Sequence, residues 1–229
     1  MTSANETNGS TELPPLAYEI LTSEDERRDA LHLVTDSIAQ QRQLAAISVI
    51  FHPAVFALLV AASSAVWAYA PGEPGTKLIS VCGLIITFLV CVRMLTAGYI
   101  HAAEDFNWKD FISGKQGDDV VFGARFGDNI IGALVLRIQE DKKEKTCTAS
   151  IRAWTTKMRY RGRGVGGDLL RLAVAKAKHV SPNSVVIFDP NHANSLLPLH
   201  STFNRAFKSR DEKARRALAH ALHDAQTDK

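Results

Sequence analysis

A mixed α+β sheet protein, with a helical hairpin apolar enough to cross a bilayer set into its first half, is what this sequence of 229 residues predicts. Three observations carry that reading. Two β-rich runs flank Gly127-Asp128-Asn129, a strong signal for an antiparallel hairpin. The stretch from Trp154 to His179, followed by Val185-Val186-Ile187-Phe188, reads as a strand end, a glycine-rich turn, an amphipathic helix and a new strand, most simply a right-handed parallel crossover. Finally, no charged residue occurs from Gln43 to Gly72, and a second apolar run follows soon after.

In chain order, residues 1–14 form a polar tail that cannot bury enough apolar surface to fold. Asn5-Glu6-Thr7 and Asn8-Gly9-Ser10 match the glycosylation acceptor pattern, and no signal peptide is expected. Ala17 to Leu21 reads as a strand. Thr22-Ser23-Glu24-Asp25 then starts a helix with a hydroxyl cap and an acidic first turn, which runs through Leu31, Leu33, Val34 and Ile38. Ile47 to Ala70 is long enough to cross a hydrocarbon core of about 30 Å. A turn at Pro71-Gly72-Glu73-Pro74-Gly75-Thr76 leads to Leu78–Val92, Arg93 and a further apolar stretch to Ile100. So short a link makes the two helices antiparallel. Basic residues outside the spans (Arg27, Arg28, Arg42, Arg93 and Lys109) against Lys77 in the link predict cytosolic termini.

Glu104 to Ile112 reads as an interfacial helix anchored by Trp108, with core packing of Phe106 and Trp108 an equal alternative. Val120–Arg125, Ile130–Arg137 and Cys147–Thr156 are strands, and Glu140 to Lys145 a charged loop. Val185–Phe188 has the continuous apolar pattern of a strand covered on both faces. An Ala-rich helix covers Asp211 to Leu222. The domain division is therefore a tail at 1–14, one α+β domain from 15–43 and 101–207, the hairpin at 44–100 and a terminal helix at 208–229. A net charge of +3 predicts no nucleic-acid partner, and Cys82, Cys91 and Cys147 are too scattered for a disulfide framework or a metal site.

The chemistry concentrates in Arg161-Gly162-Arg163-Gly164-Val165-Gly166-Gly167. Glycines let the backbone bend and approach a ligand, and the amides opening the next helix favour an anion, typically a diphosphate. Gly162, Gly164 and Gly167 also satisfy the dinucleotide spacing G-x-G-x-x-G, but antiparallel strands rather than a βαβ unit precede them. Arg161-x-x-Gly164-x-Gly166 resembles the R/Q-x-x-G-x-G/A signature of the GCN5-related N-acetyltransferase (GNAT) family. With its inserted membrane hairpin, the chain resembles the branch of endoplasmic-reticulum cysteine S-conjugate and camello-like N-acetyltransferases.

That resemblance implies a GNAT-like acyl-CoA N-acyltransferase fold, acetyl-CoA as co-substrate, an amine acceptor and a place in the endoplasmic-reticulum membrane. It implies that Trp154, Thr155 and Thr156 lie beside the pantetheine arm, that the diphosphate sits over the amides from Gly162 to Gly167 with Arg161 and Arg163 assisting, and that Asn191 contributes to the cofactor side. It also exposes departures. Pro198 stands where the family often keeps a tyrosine able to protonate the thiolate, Thr202 replaces a glycine, and no sixth or seventh strand follows Phe207. No general base is assignable, with Asp189, His192 and His200 better read as loop residues or caps. Two other functions fit the same residues: a degenerate, non-catalytic GNAT-fold interaction or trafficking factor, and a membrane-surface module using Arg159, Arg161, Arg163 and Arg171.

Overall fold

The computed structural model describes residues 14–112, 119–141 and 146–227, so residues 1–13 of the polar tail, with Asn5 and Asn8, and Lys142 to Lys145 of the expected charged loop lie outside the described residues, while Glu140 and Asp141 of that expected loop instead belong to the strand Asn129–Asp141. Strand β1 (Leu16–Ile20) leads into α1 (Glu24–Ile50), α2 (Pro53–Tyr69), α3 (Pro74–Leu95), α4 (Gly98–Glu104) and α5 (Trp108–Ile112). Then come β2 (Asp119–Phe126), β3 (Asn129–Asp141), β4 (Thr146–Thr156), α6 (Val165–Val180), β5 (Val185–Phe188) and α7 (Arg205–Thr227). The strands form one sheet in the order β1-β2-β3-β4-β5. The first four are antiparallel, and β5 joins β4 in parallel. The mixed sheet and its crossover are as the sequence predicts.

Each face of the sheet has its own core. α6 and α7 cover one face, where Leu134, Leu136 and Ile151 meet Leu169, Leu170 and Ala173. α1 and α5 cover the other, where Leu31 and Val34 press on Val121, Ala133 and Val135. Fully burying side chains of this size contributes about 1.5–3 kcal/mol each. Ser23 takes the extended cap conformation at the start of α1, but its hydroxyl makes no capping bond.

Four expectations need correction. A single helix from Ile47 to Ala70 does not form: α1 continues to Ile50, the chain breaks at Phe51-His52, and α2 restarts with Pro53 in its first turn. Proline drives the residue before it out of the helical region, and His52 is extended at φ −65°, ψ 126°. The two helices are bent by 61° at this break. Second, Glu104–Ile112 is not one helix. α4 ends at Glu104, and Phe106, Trp108, Phe111 and Ile112 pack against the α1-side core, which decides for the packing alternative. Third, β5 is not covered on both faces: Val186 is buried in the core under α6 and α7, while Val185 and Ile187 on the other face are exposed. Fourth, the C-terminal helix is longer than its Ala-rich core, beginning at Arg205.

The apolar hairpin stands apart from both cores. No residue of α2 is buried, and in α3 only Val92 is. Among the described residues one stretch, Pro74–Glu104, is long and apolar enough by composition to cross a bilayer; α2 has 17 residues, about 25 Å at ~1.5 Å per residue. A third cluster ties the hairpin's foot to the domain, with Ala45 and Val49 of α1, Val92 of α3, Tyr99 of α4, Leu199 and Phe207 packed together. The rings of Tyr99 and Phe207 stack at 5.8 Å.

Candidate active site

The site begins with a bulge. In the β3–β4 ladder Leu136 pairs with Ile151 and Val135 with Ala153, so Arg152 is an extra residue on β4. A bulge bends and twists its strand. Pairing of β4 with β5 ends one residue earlier, at Ile151 and Phe188, and beyond that point the two parallel strands part. The Ala193 N–H donates to the Arg152 carbonyl at 2.8 Å and closes the inner end of the gap. At its outer end the Lys157 N–H donates to the Ile131 carbonyl at 2.8 Å, which fixes the alternation along β4. Thr155 therefore turns its peptide groups to Ala133 of β3, whereas Trp154 and Thr156 present theirs to the gap.

Arg152 is also held from the side. Its guanidinium lies 2.7 Å from Asp119 Oδ2 and over the Phe111 ring at 4.1 Å, and Arg137 makes two further bonds to Asp119 at 2.7 and 2.8 Å. The Asp119 side chain is wholly buried, so two cations are what make it tolerable there. The bulge thus sits on a fixed ionic cluster under α5.

The loop after β4 makes a short 3₁₀ turn, Met158–Tyr160, and enters α6 through two left-handed glycines, Gly162 at φ 76° and Gly164 at φ 88°. A side chain at φ 88° is strained, and nothing lies within 4 Å of where a Cβ would project from either glycine. The space over the loop is open. Among the described residues no protein acceptor meets the amides of Gly162, Arg163, Gly164, Val165, Gly166 or Gly167, and the first intrahelical bond is from Asp168 N–H to the Gly164 carbonyl at 3.1 Å. These are unpaired donors at the positive end of a 16-residue helix, which suits a phosphate.

The side chains around the nest have supporting parts. The Trp154 indole N–H donates to the Gly166 carbonyl at 3.0 Å, and a Cβ on Gly166 would fall 3.0 Å from the same ring, so Gly166 is required by packing. Val165 is buried, and only its amide can serve a ligand. Arg161 is pinned by the protein, with Nε donating to the Thr156 carbonyl at 2.9 Å and a terminal nitrogen to Gln40 Oε1 at 2.8 Å. Arg163 is exposed over the Tyr160 ring. Asp168, an unwelcome charge beside an anion site, accepts from Tyr18 OH at 2.6 Å and Arg171 at 2.8 Å. Burial, followed by that bond, pushes the Tyr18 phenol up to about 12.

Asn191 stands apart from the rest. It is exposed in the turn after β5, with its N–H donating to Asp189 Oδ1 at 2.8 Å. Asn194, three residues on, is the better-held amide: Gln41 Nε2 donates to its Oδ1 at 2.8 Å, and its Nδ2 donates to Ser37 Oγ at 3.1 Å. Arg210 of α7 donates to the Asn194 carbonyl, and burial lowers its guanidinium below the ordinary arginine value, with the nearby charge of Arg161 adding to the effect. Sequence reading missed this polar layer of Ser37, Gln41, Asn194 and Arg210. Its trace was the pair Ser37 and Gln41, one turn apart on a helix face otherwise made of Val34, Ile38 and Ala45. His192 Nδ1 contacts the Asp189 carbonyl, and His200 caps the turn at Ser201.

From Asn191 the chain runs irregularly to Ser201, and Leu197 and Leu199 fill the third core. Pro198 is the local reason, since it neither donates a backbone bond nor tolerates a helical residue before it.

The sheet thus parts beside a nest of unpaired amides at the head of α6, an arrangement that suits an anion. Residues 93–195, a little under half of the chain, match the model of the acetyltransferase (GNAT) family. Among solved structures, an acetyltransferase from Trypanosoma brucei is 15% identical, with 76% of this chain and 82% of that one covered at a TM-score of 0.38. A putative acetyl transferase from Pyrococcus furiosus is 17% identical over 86% and 91% of the chains, also at 0.38. An aminoglycoside acetyltransferase from an uncultured soil metagenomic sample, in complex with sisomicin, is 13% identical over 86% of each chain, again at 0.38. No curated protein matches.

Proposed function

We propose that the protein is a membrane-anchored N-acetyltransferase that moves the acetyl group of acetyl-CoA to an amine. The observation that carries the reading is the open nest of unpaired amides from Gly162 to Gly167 beside the gap between β4 and β5. Acetyl-CoA would lay its diphosphate over those amides, with Arg163 free to add a charge-assisted bond. Its pantetheine arm would pair with the peptide groups of Trp154 and the N–H of Thr156, extending β4 where β5 has departed. Arg161 would shape the loop from beneath, through Thr156 and Gln40. The chemistry is aminolysis of a thioester. An acceptor ammonium must lose a proton before its nitrogen can add to the carbonyl, and bringing the two together in one site supplies much of the rate.

The bilayer part of the proposal is supported by the composition of α2 and α3, which present Leu58, Ile79, Ile86 and Leu89 to the outside while packing on one another. Solvation by lipid rather than water would remove the cost of those side chains. Cytosolic termini fit the basic flanks of the hairpin, and the endoplasmic reticulum rests on the resemblance to the camello-like branch alone. Calorimetric titration of acetyl-CoA tests the enzyme reading: binding to the wild type and none to Gly164→Glu is expected, whereas no binding to either defeats it. Alkaline carbonate washing of membranes tests the anchor, since release into the supernatant would show that the hairpin does not span.

A further inference from the structure

Two clefts run on from one another along α1. The smaller, of about 190 Å³, lies where α1 faces the end of β4 and is lined by Leu33, Asp36, Gln40, Thr155, Thr156 and Arg161 among others. The larger, of about 630 Å³, lies between α1 and the α3–α4 corner and shares Asp36 and Gln40 with the first. Its chemistry changes along its length. At the shared end stand a carboxylate and an amide, Asp36 and Gln40; at the far end, Ile50 and Leu89, close to the exposed apolar surface of the hairpin. Arg42 and Arg93 fall between, at the height where the headgroups of a bilayer holding α2 and α3 would lie. Among the described residues Asp36 has no hydrogen-bond or ion-pair partner, and it is the carboxylate that lines both clefts.

Resting on the acetyltransferase reading above, we infer that the α1–α3 cleft is the acceptor site, that it admits a long-chain primary amine sideways from the bilayer, and that Asp36 receives its ammonium group beside the thioester. The tail lies along Ile50 and Leu89, and the nitrogen reaches the end of β4. Of the two protons that the ammonium loses, one passes through the Asp36 carboxylate to solvent and the other ends on the coenzyme A sulfur. The N–C bond forms as the C–S bond breaks.

The test uses the full chain in phosphatidylcholine vesicles, with acetyl-CoA and either butylamine or dodecylamine, read as release of free thiol. Each methylene that enters the cleft is worth roughly fourfold in kcat/KM, so dodecylamine is expected to exceed butylamine at least a hundredfold. Partition into the vesicle alone would also favour the longer amine. Leu89→Trp and Ile50→Trp, two separate ways of filling the cleft, are therefore expected to cut the ratio at least tenfold, while Leu58→Trp on α2 outside the cleft keeps it. Asp36→Asn is expected to lower kcat/KM on both amines tenfold or more with the acetyl-CoA Kd unchanged. Equal turnover of the two amines, a ratio that survives both cleft variants, or an active Asp36→Asn enzyme overturns the inference while leaving the acetyltransferase reading intact. Loss of acetyl-CoA binding in the wild type itself would remove both.

Discussion

The two ends of the gap between β4 and β5 were built differently. On the side of the glycine nest, short-range sequence shapes the loop, with two left-handed glycines, a helix start and a tryptophan eleven positions before Val165, and the long-range bonds of Arg161 to Gln40 and Asp168 to Tyr18 are added to it. On the other side the contacts are long-range, joining α1 to Asn194 across more than 150 residues, and the third core to the apolar hairpin. The lesson is that local turn chemistry can fix one side of the gap while the other side depends on elements brought together from distant parts of the chain. Here those elements include α3 and α4.

The comparison can be broken or sharpened by substitution. The largest effect is expected from Gly164→Glu, which puts a side chain at φ 88° and a carboxylate into the nest. Left-handed strain of roughly 1–2 kcal/mol, with charge repulsion added, should weaken acetyl-CoA binding more than a hundredfold by calorimetry without disturbing the other side of the gap. Next, Asp119→Ala leaves Arg137 and Arg152 without their shared anion under the bulge. Removal of one partner from a buried ion cluster costs about 3–5 kcal/mol, and chemical denaturation should show it as a lowered midpoint.

Trp154→Phe keeps most of the ring but deletes the bond to Gly166. It should cost about 1 kcal/mol and raise the acetyl-CoA KM more than it lowers kcat, since the loop and not the chemistry is loosened. The smallest effect is at Tyr18. Its phenol is raised from 10.0 to about 12 in the folded state, so its contribution to stability is complete below pH 10 and disappears as pH climbs toward 12. Tyr18→Phe should flatten that part of a stability-against-pH curve. A wild-type curve already flat between pH 10 and 12 would show that the Asp168 bond is not made in solution.

Much of the fold was legible from local pattern. The Gly127-Asp128 turn, the alternation of β2 and β3, and the apolar stripe of α6 each decide their own conformation, because side-chain period and turn chemistry act within a few residues. The break at Phe51-His52 was also written there, in Pro53, but length and apolarity had outweighed it. The exposed face of β5 was not legible. A continuous apolar run says that a strand can be covered on both faces, and only the placing of the helices decides that this one is covered on one. Nor was the polar layer that joins Asn194 to α1, since spacing from the strand end cannot tell which amide a neighbouring helix will meet.

By itself, then, the sequence determined a glycine-headed helix between parallel strands, a hairpin before it and an apolar pair of helices inserted ahead of both, because those features depend on near neighbours. Tertiary structure alone decided that Arg152 bulges, that Arg161 turns inward to Gln40 and that Asp36 stands where two clefts meet. Those outcomes follow from the packing of surfaces distant in the chain, whose contacts no local periodicity records.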